Sequence, residues 1–398
     1  MKSFLIMLIS ISVILGQEVW SITQLSKGKY SALGGAEHVA YGNGTWLVSC
    51  PAGYITSKNL IDWRVFMTDK SKRLGLVRFY NNKFIAFNDE ASLGSITVRT
   101  SVSGSNWIDG NKFDHYHDMN NANTDLKSMV CGDSGTMVVT DGYGGSHVSR
   151  DRGVTWKEGW YIFENAGTPF TPQNTCRING LCYANRKFLA VGSAGTVNHL
   201  YTHSDTSKLW IMGSTACASN KYDSYQGSYF SDILYDGSQF IIMGGGIFIT
   251  SKNGTDWAAS PKILTQIFKK VAYYDGVYVA LGNGVSKDSL GAHYENTTVS
   301  TSLDGKEWKT INLPISFYPM PDDIVYGDGY WVACNRYDLW ISKVGDHPTK
   351  TAKAIHSALI VNKQSVSMVD VLGRRVTSPK GLYLTNKSGV TTRSLRLR

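Results

Sequence analysis

Proline is scarce in this chain, nine residues in 398, and no stretch shows the three-to-four spacing of apolar residues that a long amphipathic helix needs. An architecture built on long helices is thereby excluded. Zinc-type spacing is missing too. No Cys-x-x-Cys occurs and no His/Cys pair has ligand spacing, so neither a structural metal nor a cofactor is expected. After residue 16 there is no apolar run long enough to cross a bilayer. Acidic residues are nearly absent from the end of the chain. Residues 350–398 hold ten Lys/Arg and one acid, Asp370, which leaves 30 basic and 30 acidic residues in the first 349. The net charge of +9 therefore belongs to the tail. An electroneutral body lacks the footprint of phosphate-backbone binding, and nucleic acid is not an expected partner.

Glycine, by contrast, is abundant, with 40 residues, and much of it falls in a repeat. The repeated stretch reads YGNGTWLVS at Tyr41, YNNKFIAFN at Tyr80, GDSGTMVVT at Gly132 and YANRKFLAVG at Tyr183. It returns as YDGSQFIIMG at Tyr235, YDGVYVALGN at Tyr274 and YGDGYWVACN at Tyr326. Each copy is a tight turn running into an apolar segment of strand length, the signal of a β-hairpin. Five copies are followed by a second segment that ends in Trp63, Trp107, Trp156, Trp257 or Trp308, and a degenerate sixth ends at Trp210. A period of roughly 40–50 residues with about four short strands per unit marks a β-propeller. Seven hairpins against six Trp segments leave the last unit one strand short, and EVWSITQL around Trp20 resembles EWKTINL at Trp308. The expectation is an all-β, seven-bladed β-propeller of four-stranded blades over residues 17–345. The N-terminal strand, residues 18–25, would close the ring and remove the open sheet edge.

Residues 1–16 carry one Lys, then an apolar run, then a small residue, which reads as a secretory signal peptide. An exported, secreted or surface location follows, without a transmembrane segment once the leader is removed. Export makes the six cysteines potential disulfide partners. Cys50 and Cys334 end matching strands and read as buried thiols, while Cys176 and Cys217, in long inter-repeat loops, are the disulfide candidate.

The Trp-ending segments have the form S/T-x-D/N-x-G-x-x-W. The Asp or Asn oxygen bonds local backbone, Gly supplies a positive φ, and the Trp wedges between blades. Ser149, Asp151, Gly153, Thr155 and Trp156 match this form fully. Ser302, Asp304, Gly305 and Trp308 match with Gly shifted by one, Ser251, Asn253, Gly254 and Trp257 use Asn, and the segments at Trp63 and Trp107 have lost the acid. On these residues the chain, from about Trp20 to Val344, resembles the Asp-box (BNR) propellers. That class includes sialidases, some endoglucanases, sortilin-type receptors and photosystem assembly factors. The resemblance implies that the box acids sit on outer-rim turns as structural groups. Sialidase activity is not expected, because no R-I-P segment stands near the start and loop arginines are few, Arg177 and Arg336 being the main ones.

Beyond a polar linker at 346–362, residues 363–398 form short alternating segments around Gly373 and Gly381. Asp370, Gly373, Arg374, Val376, Gly381 and Tyr383 resemble the C-terminal sorting domain of the bacterial type IX secretion pathway. The resemblance implies a small C-terminal β segment and the secretion machinery as a partner.

Strand order places the long insertions on one face, and rigid rings carry function on such loops. Tyr116, Trp160, Tyr161, Tyr222, Tyr225 and Tyr229 occur there beside polar residues and Arg177. Aromatic faces stack on sugar C–H faces, so polysaccharide or glycoconjugate binding is the leading expectation. The same composition suits a protein partner. Candidate acid/base groups are His117 and Asp118 with His115, Asp89 with Glu90, and His293 with Glu295. Asp232 and Asp323 stand at the heads of inner strands, with Glu37 and His38 in comparable positions. Paired carboxylates there would suit glycoside hydrolysis, and His with Tyr would suit β-elimination on a uronic acid. The sequence leaves enzyme, glycan binder and protein-interaction ring open.

Overall fold

A computed structural model describes residues 20–25, 28–90, 95–114, 126–141, 145–158, 176–194, 197–204, 211–212, 230–244, 248–259, 266–288, 291–312, 321–343, 382–383 and 394–395. The chain divides into two compact units, Met1–His347 and Pro348–Arg398. In the second, Leu382–Tyr383 pairs antiparallel with Ser394–Leu395.

The first unit is an all-β propeller. Its described strands form seven four-stranded antiparallel sheets. Six are continuous in sequence, spanning 38–67, 77–114, 126–158, 176–212, 232–259 and 266–312. The seventh combines Asp323–Gly327, Tyr330–Cys334 and Asp338–Lys343 with Trp20–Gln24, which pairs from Trp20↔Ser342 to Gln24↔Asp338. The first and last parts of the unit thus share one sheet.

Turn chemistry explains the hairpins between first and second strands. Asn43–Gly44, Asn81–Asn82, Asn185–Arg186, Asp275–Gly276 and Asp328–Gly329 all have φ between 45° and 83° at both central positions. Two left-handed residues in succession make the turn whose twist matches the flanking strands, and Asn, Asp and Gly tolerate it best. Each turn is bracketed by an aromatic pair five residues apart. The pairs are Tyr41–Trp46, Phe79–Phe84, Tyr183–Phe188, Tyr273–Tyr278 and Tyr326–Trp331, with ring centroids 4.6–5.2 Å apart. Tyr235–Phe240 repeats the pair at 4.8 Å around the 236–239 turn.

Burial is organised between sheets. Seven hydrophobic clusters each join two neighbours, including one that joins the seventh sheet (Val332, Cys334, Leu339) to the first (Val39, Trp46, Cys50). Aromatic rings from one sheet also lie flat against small residues of the sheet before it. A Cβ added to Gly327 would sit 2.3 Å from the Tyr41 ring, and one added to Gly42 would sit 2.1 Å from Phe79. Gly327→Val is therefore expected to overpack the contact between the seventh and first sheets and cost about 1–3 kcal/mol. Chemical denaturation of the variant checks this.

The turns between third and fourth strands share one pattern. Gly153 N–H donates to Ser149 Oγ (2.8 Å), Val154 and Thr155 N–H donate to Asp151 Oδ1 (3.1 and 2.8 Å), and Trp156 Nε1 donates to the Gly153 carbonyl (3.3 Å). Burial pushes the Asp151 carboxyl up, but the Thr155, Ser149 and Val154 hydrogen bonds outweigh it and hold the group down at about 2. Gly254 N–H to Ser251 Oγ (2.8 Å) and Asp256 N–H to Asn253 Oδ1 (2.9 Å) repeat the pattern with Asn. Gly305 N–H to Ser302 Oγ, Glu307 N–H to Asp304 Oδ1 (both 2.9 Å), and Trp308 Nε1 to the Gly305 carbonyl (3.2 Å) repeat it again. Trp156 and Trp308 are buried between sheets, and Trp257 packs against the cluster of the fourth and fifth. The turn before Trp63 keeps the geometry without the acid: Leu60, with φ 62°, stands where the others have Gly.

Candidate functional site

Five charged or ionisable residues stand on the innermost strands of five sheets, three of them at the strand's first position and Arg78 and Lys270 further along. They are His38 in the first sheet, Arg78 in the second, Asp232 in the fifth, Lys270 in the sixth and Asp323 in the seventh. Alternation along a strand explains why they can be held there. Ile233, Val271 and Ile324, next to the charged heads, go into the inter-sheet clusters. The charged neighbour is left on the opposite face of the strand.

Asp323 is the hub. Its Oδ2 accepts from the Val39 amide of the first sheet (3.2 Å) and from Arg78 Nη1 of the second (2.7 Å), and Oδ1 accepts from Arg78 Nη2 (3.2 Å) and the Ile324 amide (3.1 Å). His38 Nδ1 lies 3.4 Å from Oδ2. The Asp323 side chain is only 6% exposed, so a charge there needs its partners. Burial acts to raise its carboxyl, but Arg78 and His38 outweigh that and hold it well below the usual carboxylate range.

Asp232 repeats half of this arrangement. Its Oδ2 accepts from the Val271 amide of the sixth sheet (3.2 Å), its Oδ1 from its neighbour Ile233 (3.1 Å), and Lys270 Nζ lies 3.6 Å away. Burial pushes this carboxyl above the usual range, and the ammonium of Lys270 only partly offsets it. Each acid therefore links its own sheet to the inner strand of the next. Around them Glu37 pairs with Arg73, Asp322 pairs with Lys269, and Asn179 Nδ2 donates to the Phe230 carbonyl (2.6 Å).

Asp323 thus accepts four hydrogen bonds, which uses the lone pairs of both oxygens, while Asp232 accepts two, from the amides of Val271 and Ile233, beside Lys270. Among the described residues no group of three or more His, Cys, Asp or Glu could hold a metal ion. No described helix is long and apolar enough to cross a membrane.

Of the residues singled out from sequence, Asp232 and Asp323 begin the inner strands of the fifth and seventh sheets, each beside a cation and an amide of the next sheet. Tyr116, His117, Asp118, Trp160, Tyr161, Tyr222, Tyr225, Tyr229 and Cys217 lie outside the described residues. Cys176 and Arg177 begin the strand Cys176–Ala184, and Asp89, Glu90, His293 and Glu295 lie on strands, with their side chains outside the description. Cys50, Cys182 and Cys334 are buried free thiols, and burial pushes all three up. Arg78 and Lys270 were not singled out. The signal for Lys270 is positional, since His38, Asp232, Lys270 and Asp323 each stand three residues before the aromatic that starts the five-residue pair, whereas Arg78 directly precedes Phe79 and carries no such signal.

No family model matches the chain, and no curated protein matches it either. Solved structures do. One described as YCF48 bound to D1 peptide is 12% identical, with a TM-score of 0.54, over 81% of this chain and 96% of that one. Virginiamycin B lyase from Staphylococcus aureus with quinupristin is 6% identical, with a TM-score of 0.56, over 81% and 99%. The extracellular domain of the putative hybrid two-component system BT4673 from B. thetaiotaomicron is 10% identical, with a TM-score of 0.53, over 81% and 39%. At these identities the likeness is one of fold, a β-propeller found in proteins of varied function.

Proposed function

We propose that the chain is a non-catalytic, seven-bladed propeller of the Asp-box kind whose loop-rich face binds an extended segment of a protein partner. One observation carries the reading. Asp232 and Asp323, the carboxylates best placed for chemistry, are tied to the amides of Val271 and Val39 and serve as struts between sheets. The blade count rests on seven sheets and seven inter-sheet clusters, and the Asp-box assignment on the shared turn geometry at Trp156, Trp257 and Trp308. A propeller of similar fold, the YCF48 structure, holds a peptide, which makes this partner class the one to test first. The same reading has the chain exported by residues 1–16 and carried by a sorting segment at 363–398.

The test incubates the purified protein with an array of extended peptides and with plant, algal and host polysaccharides. Retention and new reducing or unsaturated ends are followed together. Peptide retention without new ends is the expected result. Polysaccharide retention alone would replace the partner class with glycan, and new ends would overturn the non-catalytic reading.

A further inference from the structure

Four connections at the seventh, first and second sheets form one surface. Residues 335–337 and 51–52 each join a second strand to a third, and residues 28–37 and 68–76 each lead from a fourth strand to the next sheet. The register pairs Gln24↔Asp338, His38↔Ser49 and Gly53↔Met67 put all four at the same end of the strands. Contacts then join them side by side. The Leu25 amide donates to the Tyr337 carbonyl (2.8 Å), the Ala52 amide to the Leu33 carbonyl and the Thr68 amide to the Ala52 carbonyl (both 3.1 Å). Arg73 reaches across to pair with Glu37.

This surface is basic, although acids and bases balance over the first 349 residues. The four stretches hold Lys29, Lys70, Lys72, Arg73 and Arg336 against two acids, Glu37 and Asp69. Glu37 is taken by Arg73, and Asp69 accepts from Ser71 Oγ (2.5 Å). Lys29, Lys72 and Arg336 are exposed and form no ion pair among the described residues.

Arg336 and Tyr337 sit on a fixed backbone. Asn335 Oδ1 accepts from the Tyr337 and Asp338 amides (2.9 and 2.8 Å), and the Asn335 amide donates to the Asp338 carbonyl (3.1 Å). The Arg336 carbonyl lies so close to Gly35 that a Cβ added there would sit 1.6 Å from it. The side chains nevertheless stay out: Tyr337 is 40% exposed, and Met67, just before the 68–76 stretch, is 56% exposed. Arg, Tyr and Met are residue types that protein interfaces favour. A backbone held in place before binding lowers the cost of ordering it. The excess of cations selects the charge of the partner.

We infer that this surface binds an acidic, extended segment of a protein partner, with Arg336 on a carboxylate and Tyr337 and Met67 on apolar side chains. This rests on the protein-partner reading above and adds where the segment lies and what charge it carries.

The test measures binding of extended peptides of one length, acid-rich, neutral or base-rich, to the full chain, with a sulfated polysaccharide as a non-protein anion. Acid-rich peptides are expected to bind tightest and to weaken as salt rises. Residues 350–398 are basic too, so variants of this surface decide the site. Arg336→Glu and Tyr337→Ala should each weaken acid-rich peptides roughly ten-fold, with thermal melting confirming that the ring stays folded. Lys252→Glu, on a turn at the other end of the strands, should leave binding as it is. Peptides bound equally whatever their charge would overturn this site and leave the partner reading standing. So would acid-rich binding that neither Arg336→Glu nor Tyr337→Ala weakens. Binding of no peptide, or of the polysaccharide alone, would overturn both.

Discussion

Asp323→Ala is expected to lower the stability of the folded ring by about 3–5 kcal/mol, because it strands a buried cation. Arg78 would keep its guanidinium only 17% exposed, without the carboxylate that it grips through both Nη atoms. The Val39 amide, on a residue that is wholly buried, would lose its acceptor. Because Asp323 joins the seventh, first and second sheets, the loss falls where the ends of the ring meet. A fall in melting temperature on the order of 10 °C is the corresponding thermal reading. Asp232→Ala should cost less, since its cation is at 3.6 Å and its carboxyl is raised rather than lowered in the fold.

The pH dependence separates the two acids. The folded ring depresses the Asp323 carboxyl below its unfolded value near 3.9. Its contribution is therefore complete above that value and is lost as pH falls toward the folded one. The stability gap between wild type and Asp323→Ala should be flat near neutrality and should shrink in acid. The raised carboxyl of Asp232 has the opposite sign: ionising it in the folded ring works against stability as pH rises through the unfolded value. A gap at Asp323 that widened in acid would contradict the assigned pairing.

Deleting residues 18–25 is expected to have a still larger effect, leaving no cooperatively folded monomer. Five register pairs with Asp338–Lys343 would go, exposing the edge of that strand. Trp20 and Ile22 pack against the cluster that contains Trp331 and Trp340. Leu25 is fully buried and its amide donates to the Tyr337 carbonyl (2.8 Å). Removing one buried Leu side chain costs about 2–5 kcal/mol, against a typical domain stability of about 5–15 kcal/mol. Circular dichroism and light scattering should show loss of the melting transition with aggregation. A peptide of residues 17–27 supplied in trans should restore the transition. A truncated chain that melts like the full one would show that the ring does not need this strand.

The hairpins were legible in the sequence because their turns are chemically demanding. Asn-Gly, Asp-Gly and Asn-Asn pairs between apolar runs leave few alternatives to a left-handed two-residue turn. Alignment on Tyr80 and Tyr274, however, misses the repeat position by one residue. The aromatic that pairs five residues on is Phe79 in one copy and Tyr273 in the other. A strand that ends in two aromatics carries no local mark of which one faces the neighbouring sheet. The strand supplied by Trp20 was recognisable because its apolar pattern matches the one after Trp308.

Less of the candidate site was legible. Asp232 and Asp323 could be placed at strand heads, but their partners come from other sheets, as distant in sequence as Arg78 is from Asp323. Nothing near either acid in sequence shows that an amide of the next sheet completes it. The column of ionisable residues three places before the aromatic was present in the repeat. A column of mixed sign, with Asp, Lys and His at one position, does not look like a motif until the ring sets them around one axis.

Hydrogen exchange at the Val39 and Val271 amides tests the account most directly, because it reads whether the two acids act as struts between sheets. The account predicts that both amides are strongly protected in the wild type. Asp323→Asn should speed exchange at Val39 and leave Val271 unchanged, while Asp232→Asn should do the reverse. Unaltered protection at both amides in both variants would contradict it, and would return the two carboxylates to the channel as groups free for chemistry.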